Sequence, residues 1–185
     1  MMKPLTEVDF EIHILQDKER IKSFDCGDDD LNDFILNTAP LYKSAMLAET
    51  FVVENRHGKV LAYFSLATDK ITLSEFEGKT EFNRFRKKNF PNEKRLKAYP
   101  AVKICRFAVD VSARNLHLGS SLIQYIKWKV LTEIEIGCRY LTVDAYLDAI
   151  PFYIKNDFNI LTQSDEQDQH TRLLFFDMKR FISFT

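Results

Sequence analysis

Cysteine is scarce here: three residues in 185, Cys26, Cys105 and Cys138, odd in number and far apart. They supply no disulfide framework, and no two are spaced as a C-x-x-C metal knuckle. Reduced core thiols are expected, with no metal. Long apolar runs are also missing. No stretch approaches the ~18 apolar residues that a membrane helix needs. The opening MMKPLTEVDFEIHIL has neither an apolar signal core nor an A-x-A cleavage pattern, so the cytoplasm is the expected location and no membrane partner is expected. Nor does one charge dominate. Lys plus Arg number 26 and Asp plus Glu 27, a net charge of -1, which does not mark the whole chain for a polyanion. Internal repeats and low-complexity linkers are absent as well.

What is present is the composition of a folded domain. Hydrophobic residues make up 45% and charged residues 29%, and Phe occurs 16 times. Aromatic side chains bury large areas, so a sizeable core is available at this length. A single domain over 1–185 is expected.

Apolar periodicity sets out the elements. Residues 8–15 alternate around Phe10, Ile12 and Ile14, as a strand does. Asp28 to Asp30 provide an N-cap and first-turn carboxylates for a helix whose apolar face is Leu31, Phe34 and Ile35. Pro40 should end that helix and open a second one running to Met46. Residues 50–54 and 59–68 are rich in strand formers and flank the turn signal Asn55-Arg56-His57-Gly58, which predicts a hairpin. Residues 75–97 are polar and basic, consistent with an insertion carrying a short helix. Strands are predicted over 99–110 and 139–146. Leu118, Leu122, Ile123, Ile126, Val130 and Ile134 form a helical stripe between them. A short helix over 148–156 and a closing hairpin, 158–163 with 171–178, complete the chain. Hairpins mixed with one β-α-β crossover predict an α/β fold with a mixed sheet flanked by helices.

The informative stretch is Phe107 to Ser120, FAVDVSARNLHLGS. A strand ends at Asp110, a short loop follows, and a helix starts near Leu118. A helix start offers unpaired N–H groups and partial positive charge, Arg114 adds a cation, and Gly119 allows close backbone approach. Those features suit a pyrophosphate. They also suit an ordinary strand-to-helix junction, and the residues alone leave both open.

This segment resembles the acetyl-CoA motif of the GNAT (GCN5-related N-acetyltransferase) family: a strand L-A-V-D, then Q/R-x-x-G-x-G/A, then an apolar helix. Phe107-Ala108-Val109-Asp110 matches the strand, and Arg114-Asn115-Leu116-His117-Leu118-Gly119 matches the motif. The family's F-Y-x-x-x-G-F is matched by Phe152-Tyr153-Ile154-Lys155-Asn156-Asp157-Phe158. Phe24-Asp25-Cys26-Gly27, followed by Leu31 and Phe34, is similar to the F-x-C-G…L-x-x-F opening of a subgroup that includes toxins acting on aminoacyl-tRNA. Two motif glycines are replaced, by His117 and Asp157. Histidine and aspartate tolerate left-handed backbone better than most residues, so the turns are expected to survive.

The resemblance implies a mostly antiparallel mixed sheet of six to seven strands, splayed between two parallel central strands and flanked by about four helices. It implies acetyl transfer from acetyl-CoA to a primary amine by direct attack. The alternatives it carries are a toxin that acetylates the α-amine of aminoacyl-tRNA, and a domain that binds coenzyme A without catalysis. On this basis Phe107, Ala108 and Val109 would pair with the pantetheine arm, and Arg114, Asn115, Leu116, His117, Leu118, Gly119 and Ser120 would cradle the pyrophosphate. Tyr153 would be the general acid at sulfur; without the resemblance it reads as a core aromatic beside Phe152. The general base stays open among Asp144, Glu54 and Tyr146, or a water chain. Two partner readings attach to the rest of the chain. Residues 84–97, RFRKKNFPNEKRLK, suit either a solvated charged insertion or a patch for tRNA, with Phe85 and Phe90 as bases' stacking partners or as anchors. The strand carrying Phe175 and Phe176 suits a homodimer contact.

Overall fold

The computed structural model describes residues 10–16, 21–89, 96–161 and 170–182. In chain order the elements are β1 (Phe10–Ile14), α1 (Asp29–Asp33), α2 (Ala39–Ser44), β2 (Glu49–Asn55), β3 (Val60–Thr72), α3 (Lys79–Asn89), β4 (Ala98–Val109), α4 (Leu118–Thr132), β5 (Tyr140–Tyr146), α5 (Ile150–Lys155), β6 (Asn159–Ile160), β7 (Thr171–Asp177) and α6 (Met178–Ile182). The seven strands form one sheet in the order β1-β2-β3-β4-β5-β7-β6. The pairings β1–β2, β2–β3, β5–β7 and β6–β7 are antiparallel. β4 and β5 are neighbours in the sheet, with α4 between them in the chain.

Two compact units share the chain. The first comprises residues up to Ala67 with Ile104–Trp128; the second comprises Thr68–Lys103 with Lys129–Phe184. In the first, Phe24, Phe34 and Tyr63 are buried with Cys26, Ile35, Val52 and Ala108. Phe24 meets Tyr63 edge-on at 5.3 Å and Phe34 stacks on Tyr63 at 6.0 Å. Asp28 caps α1, its Oδ1 accepting the Leu31 N–H at 2.9 Å. Pro40 does not end the helix as its ring predicts. A π-helical segment, Phe34–Thr38, joins α1 to α2, and the Ala39 N–H reaches Phe34 O, five residues back. The wider turn comes just before Pro40, which then sits near the start of α2, where a missing N–H costs nothing.

In the second unit an aromatic core forms around α3. Phe85 packs against Phe76 at 5.2 Å, Tyr140 at 5.6 Å and Phe175 at 5.6 Å. Phe85 is therefore an anchor and not a stacking platform for bases. Arg86 lies over the Phe82 ring at 4.7 Å. Arg84, Lys87 and Lys88 are exposed. Phe90 and residues 91–95 of the basic run lie outside the described residues. Strand β7 lies between β5 and β6, with Phe176 buried. No helix among the described residues is long and apolar enough to cross a membrane.

Candidate active site

The first unit holds the loop between β4 and α4. Phe107, Ala108 and Val109 close β4. Asp110 then caps a 3-10 segment, Val111–Leu116, through its Oδ1, which accepts the Ser112 N–H at 3.0 Å. Its carboxylate is buried, which alone would raise its pKa. Bonds from the Ser112 hydroxyl and N–H, the Asp25 N–H and the Lys59 ammonium outweigh burial and hold it below the ordinary carboxylate value. Lys59 Nζ stands 3.2 Å from Asp110 Oδ1 and 2.6 Å from Ser112 Oγ. Asp110 is thus the loop's brace, the role its position in the sequence suggests.

His117 turns the chain into α4 with φ 52° and ψ 19°, a left-handed conformation. Asp157 has φ 66°. Both replacements for glycine therefore adopt the backbone that the glycines would supply, as expected from their tolerance of that region. Leu118 is buried beneath the start of α4; Gly119 and Ser120 are half-buried, and Arg114, Leu116 and His117 are exposed. Asn115 contributes its backbone to the 3-10 segment. The first N–H groups of α4 have no partner inside the helix. No acidic side chain occurs from Val111 to Ser120. An exposed stretch without carboxylates that leads into a helix start fits a diphosphate.

Arg114 ties the loop to a distant part of the chain. Its Nη2 donates to the Cys26 carbonyl at 2.5 Å. Gly27 has φ 79°, and a Cβ there would meet Arg114 Nη2 at 3.3 Å. Val111 N–H donates to Asp25 O at 2.8 Å, and Asp25 N–H to Asp110 Oδ2 at 3.2 Å. The Phe24–Gly27 loop and the 110–114 segment are therefore one structure, laced by three hydrogen bonds. Sequence spacing carries no signal for that contact, because the partners lie 85 to 88 residues apart.

The second unit holds α5. Pro151 starts this helix, and Tyr153 is buried in it, 5% exposed. Phe152 and Phe158 meet the Tyr153 ring edge-on at 5.2 and 5.4 Å. Tyr153 N–H aside, the helix ends on backbone bonds from Asn156, Asp157 and Phe158. The Tyr153 hydroxyl has no hydrogen-bond partner among the described residues. Burial pushes this phenol well above its ordinary value, so it keeps its proton.

The three candidates for general base differ in setting. Glu54 lies in the first unit, 3.9 Å from His13 Nε2. Asp144 is paired with Lys103 in the second, and Tyr146 is exposed there. Among the described residues no group of three or more His, Cys, Asp or Glu side chains is placed to hold a metal. All three cysteines are free thiols.

No family model matches the chain. Solved structures do. A structure of AtaT complexed with acetyl-methionyl-tRNAfMet matches at 22% identity and TM-score 0.69, covering 96% of this chain and 100% of that one. AtaTR bound with acetyl-CoA matches at 23% identity and TM-score 0.74, covering 96% and 99%. A Tyr-to-Phe variant of KacT matches at 19% identity and TM-score 0.72, covering 96% and 100%. The chain shares the fold of these proteins, a mixed α/β fold of the kind that the resemblance to GNAT enzymes implies.

Proposed function

We propose that this protein is an acetyl-CoA-dependent N-acetyltransferase whose acceptor is the primary α-amine of an aminoacyl-tRNA. The fold match carries this reading. It runs over nearly the whole of both chains to AtaT, solved with its acetylated methionyl-tRNA, and to AtaTR, solved with acetyl-CoA. The chain's own residues support it. The 111–120 stretch runs into a helix start and carries no carboxylate, as a diphosphate needs, and Tyr153 has a protonated hydroxyl without a partner among the described residues. Tyr-to-Phe variants of both AtaT and KacT are among the matching structures.

In this mechanism the backbone at Phe107 and Val109 aligns the pantetheine arm, and one N–H there stabilises the oxyanion as the amine attacks the thioester carbon. The loop residues from Arg114 to Ser120 hold the diphosphate, chiefly through backbone, with Arg114 shaping the loop against Cys26. The C–S bond then breaks and Tyr153 gives its proton to the departing thiolate. Burial raises the phenol and any thiolate formed in the same dry surroundings, so the ordinary order, ~10 over ~8.5, is moved upward at both ends. Alignment of the two groups supplies the remainder. An antitoxin would be the natural protein partner, since AtaT is also solved bound to the C-terminus of AtaR. The basic face of α3 would serve tRNA by charge alone, because Phe85 is committed to the core.

The test uses purified protein, acetyl-CoA and bulk aminoacylated tRNA. Acetyl-CoA should raise Tm as binding to the folded state requires, and acetyl groups should appear on the α-amines. No shift at millimolar acetyl-CoA would leave only the fold.

A further inference from the structure

We propose that Asp69, on β3 in the second unit, is a seat for a primary ammonium group. Aspartate is among the poorest strand formers, yet this one sits inside a 13-residue strand. It is held there by Thr142 on β5, whose side chain is wholly buried. The Thr142 hydroxyl donates to Asp69 Oδ2 at 2.5 Å, while the Val102 carbonyl lies farther off at 3.3 Å. A hydroxyl has one proton to give, and the shorter contact takes it. One carboxylate oxygen is therefore fixed by a buried donor. The other has no partner among the described residues.

The surroundings favour a cation. Thr142 and Asp144 share one face of β5, and Asp144 is neutralised by Lys103. Asp69 is left as the uncompensated charge of that group. Across the register from Thr142 stands Phe175, whose ring meets Tyr140 at 5.6 Å. Aromatic rings on the strand that carries Thr142 and on its neighbour suit an ammonium better than they suit a hydrated metal ion. Other charged groups of the elements around it include Lys70, exposed on the same strand, Glu75, which accepts the Thr72 N–H and hydroxyl, Arg106 on β4, which lies over the Phe34 ring, Arg86 on α3, stacked on Phe82, and Arg172 and Asp177 on β7, the latter paired with Arg139.

The chemical role rests on the acetyl-transfer reading above. An α-amine has an ordinary pKa of about 8, so near neutral pH much of it arrives as ammonium. Asp69 would hold that group and orient its nitrogen. The free carboxylate oxygen first takes one proton from the ammonium and passes it to water, which leaves the neutral amine with its lone pair. As the N–C bond forms and the C–S bond breaks, a second proton leaves the nitrogen by the same oxygen, while Tyr153 protonates the sulfur and regains a proton from water. This places the general base at a residue that the sequence does not single out, on β3, two strands from Asp144 on β5.

The seat is tested without catalysis by titrating carboxylate-labelled protein with L-methioninamide and following side-chain carboxyl resonances by NMR. The Asp69 resonance should move saturably, and should not move with N-acetyl-methioninamide, which carries no ammonium. A silent Asp69, or movement at Asp144 alone, overturns the proposal. In acetyl transfer to aminoacyl-tRNA, Asp69→Asn should lower kcat/KM for the acceptor about a hundredfold at neutral pH, with KM for acetyl-CoA unchanged. The deficit should shrink as pH rises and the amine deprotonates by itself. Thr142→Val should cost about tenfold with the same pH trend, as loss of one bond to a charged group does. An active wild type whose kcat/KM is untouched by Asp69→Asn also overturns it. A wild type that acetylates nothing would sink the acetyl-transfer reading, and the NMR titration would still decide the seat.

Discussion

The 107–120 segment of the first unit and the 150–158 segment of the second are held in opposite ways. The first is polar. Asp110, Arg114, Ser112 and Lys59 tie its side chains to one another and to the Phe24–Gly27 loop, leaving main-chain N–H groups at the start of α4 for a ligand. The second is aromatic. Phe152, Tyr153 and Phe158 fix one another by ring contacts, and the group left over is a single hydroxyl. A loop that grips an anion through its main chain needs its charges for its own shape. A proton donor needs dry, uncharged walls that keep the proton on until it is wanted.

That contrast makes the hydroxyl of Tyr153 the most costly atom to remove. Tyr153→Phe should lower kcat by about 10² to 10⁴, the range of general acid catalysis. Its Tm and the rise in Tm on adding acetyl-CoA should match the wild type, because ring packing is preserved. Turnover surviving intact would take the acid role away from α5. Next comes Gly119→Glu, which puts bulk and a negative charge at the start of α4. The acetyl-CoA shift in Tm should vanish while the far-ultraviolet circular dichroism stays native. Retained affinity would move the diphosphate away from this loop.

Asp110 separates brace from ligand by pH. Its native pKa is depressed, so its stabilising contribution is fully present above about pH 4, the unfolded value, and is lost as pH falls through the native value. Asp110→Asn should therefore lower Tm at pH 7, with the gap to the wild type closing as the solution is made acidic. A gap that is constant in pH would mean the charge is not what the brace uses.

Much of this architecture is legible from the chain alone, and the exceptions have a common cause. The α4 stripe is local: Leu118, Leu122, Ile123, Ile126 and Val130 are buried, and only Ile134, past the end of the helix, is half-buried. The left-handed backbone at His117 and Asp157 follows from residue type and motif position, which are also local. The link from Arg114 to Cys26 joins residues 88 apart, and the link from Thr142 to Asp69 joins residues 73 apart. Periodicity cannot see either. Pro40 misleads for the reverse reason: its local rule is sound, but the π turn at Phe34–Thr38 absorbs it. Phe85 has the interleaved spacing of a nucleic-acid binder, and only the position of α3 against Tyr140 and Phe175 reveals it as an anchor.

The smallest effect is expected where the two segments are most alike, at their left-handed residues. In His117→Gly, relief of a side chain in a conformation that costs about 1 kcal/mol is offset by the greater freedom of glycine in the unfolded chain, about 0.5–1 kcal/mol. The net change in stability should stay within about 0.5 kcal/mol, which chemical denaturation can measure. Asp157→Gly faces the same two opposing terms. The variants should differ in ligand binding. On the proposed reading the loop at 117 shapes the main chain that meets the diphosphate, so His117→Gly should weaken acetyl-CoA binding a few-fold by loosening it, whereas Asp157→Gly should leave affinity unchanged. Tighter binding in His117→Gly would mean that the imidazole crowds the phosphates. Equal loss in both variants would mean that the two turns serve the cosubstrate alike, and the division between a gripping segment and a proton-donating one would fail.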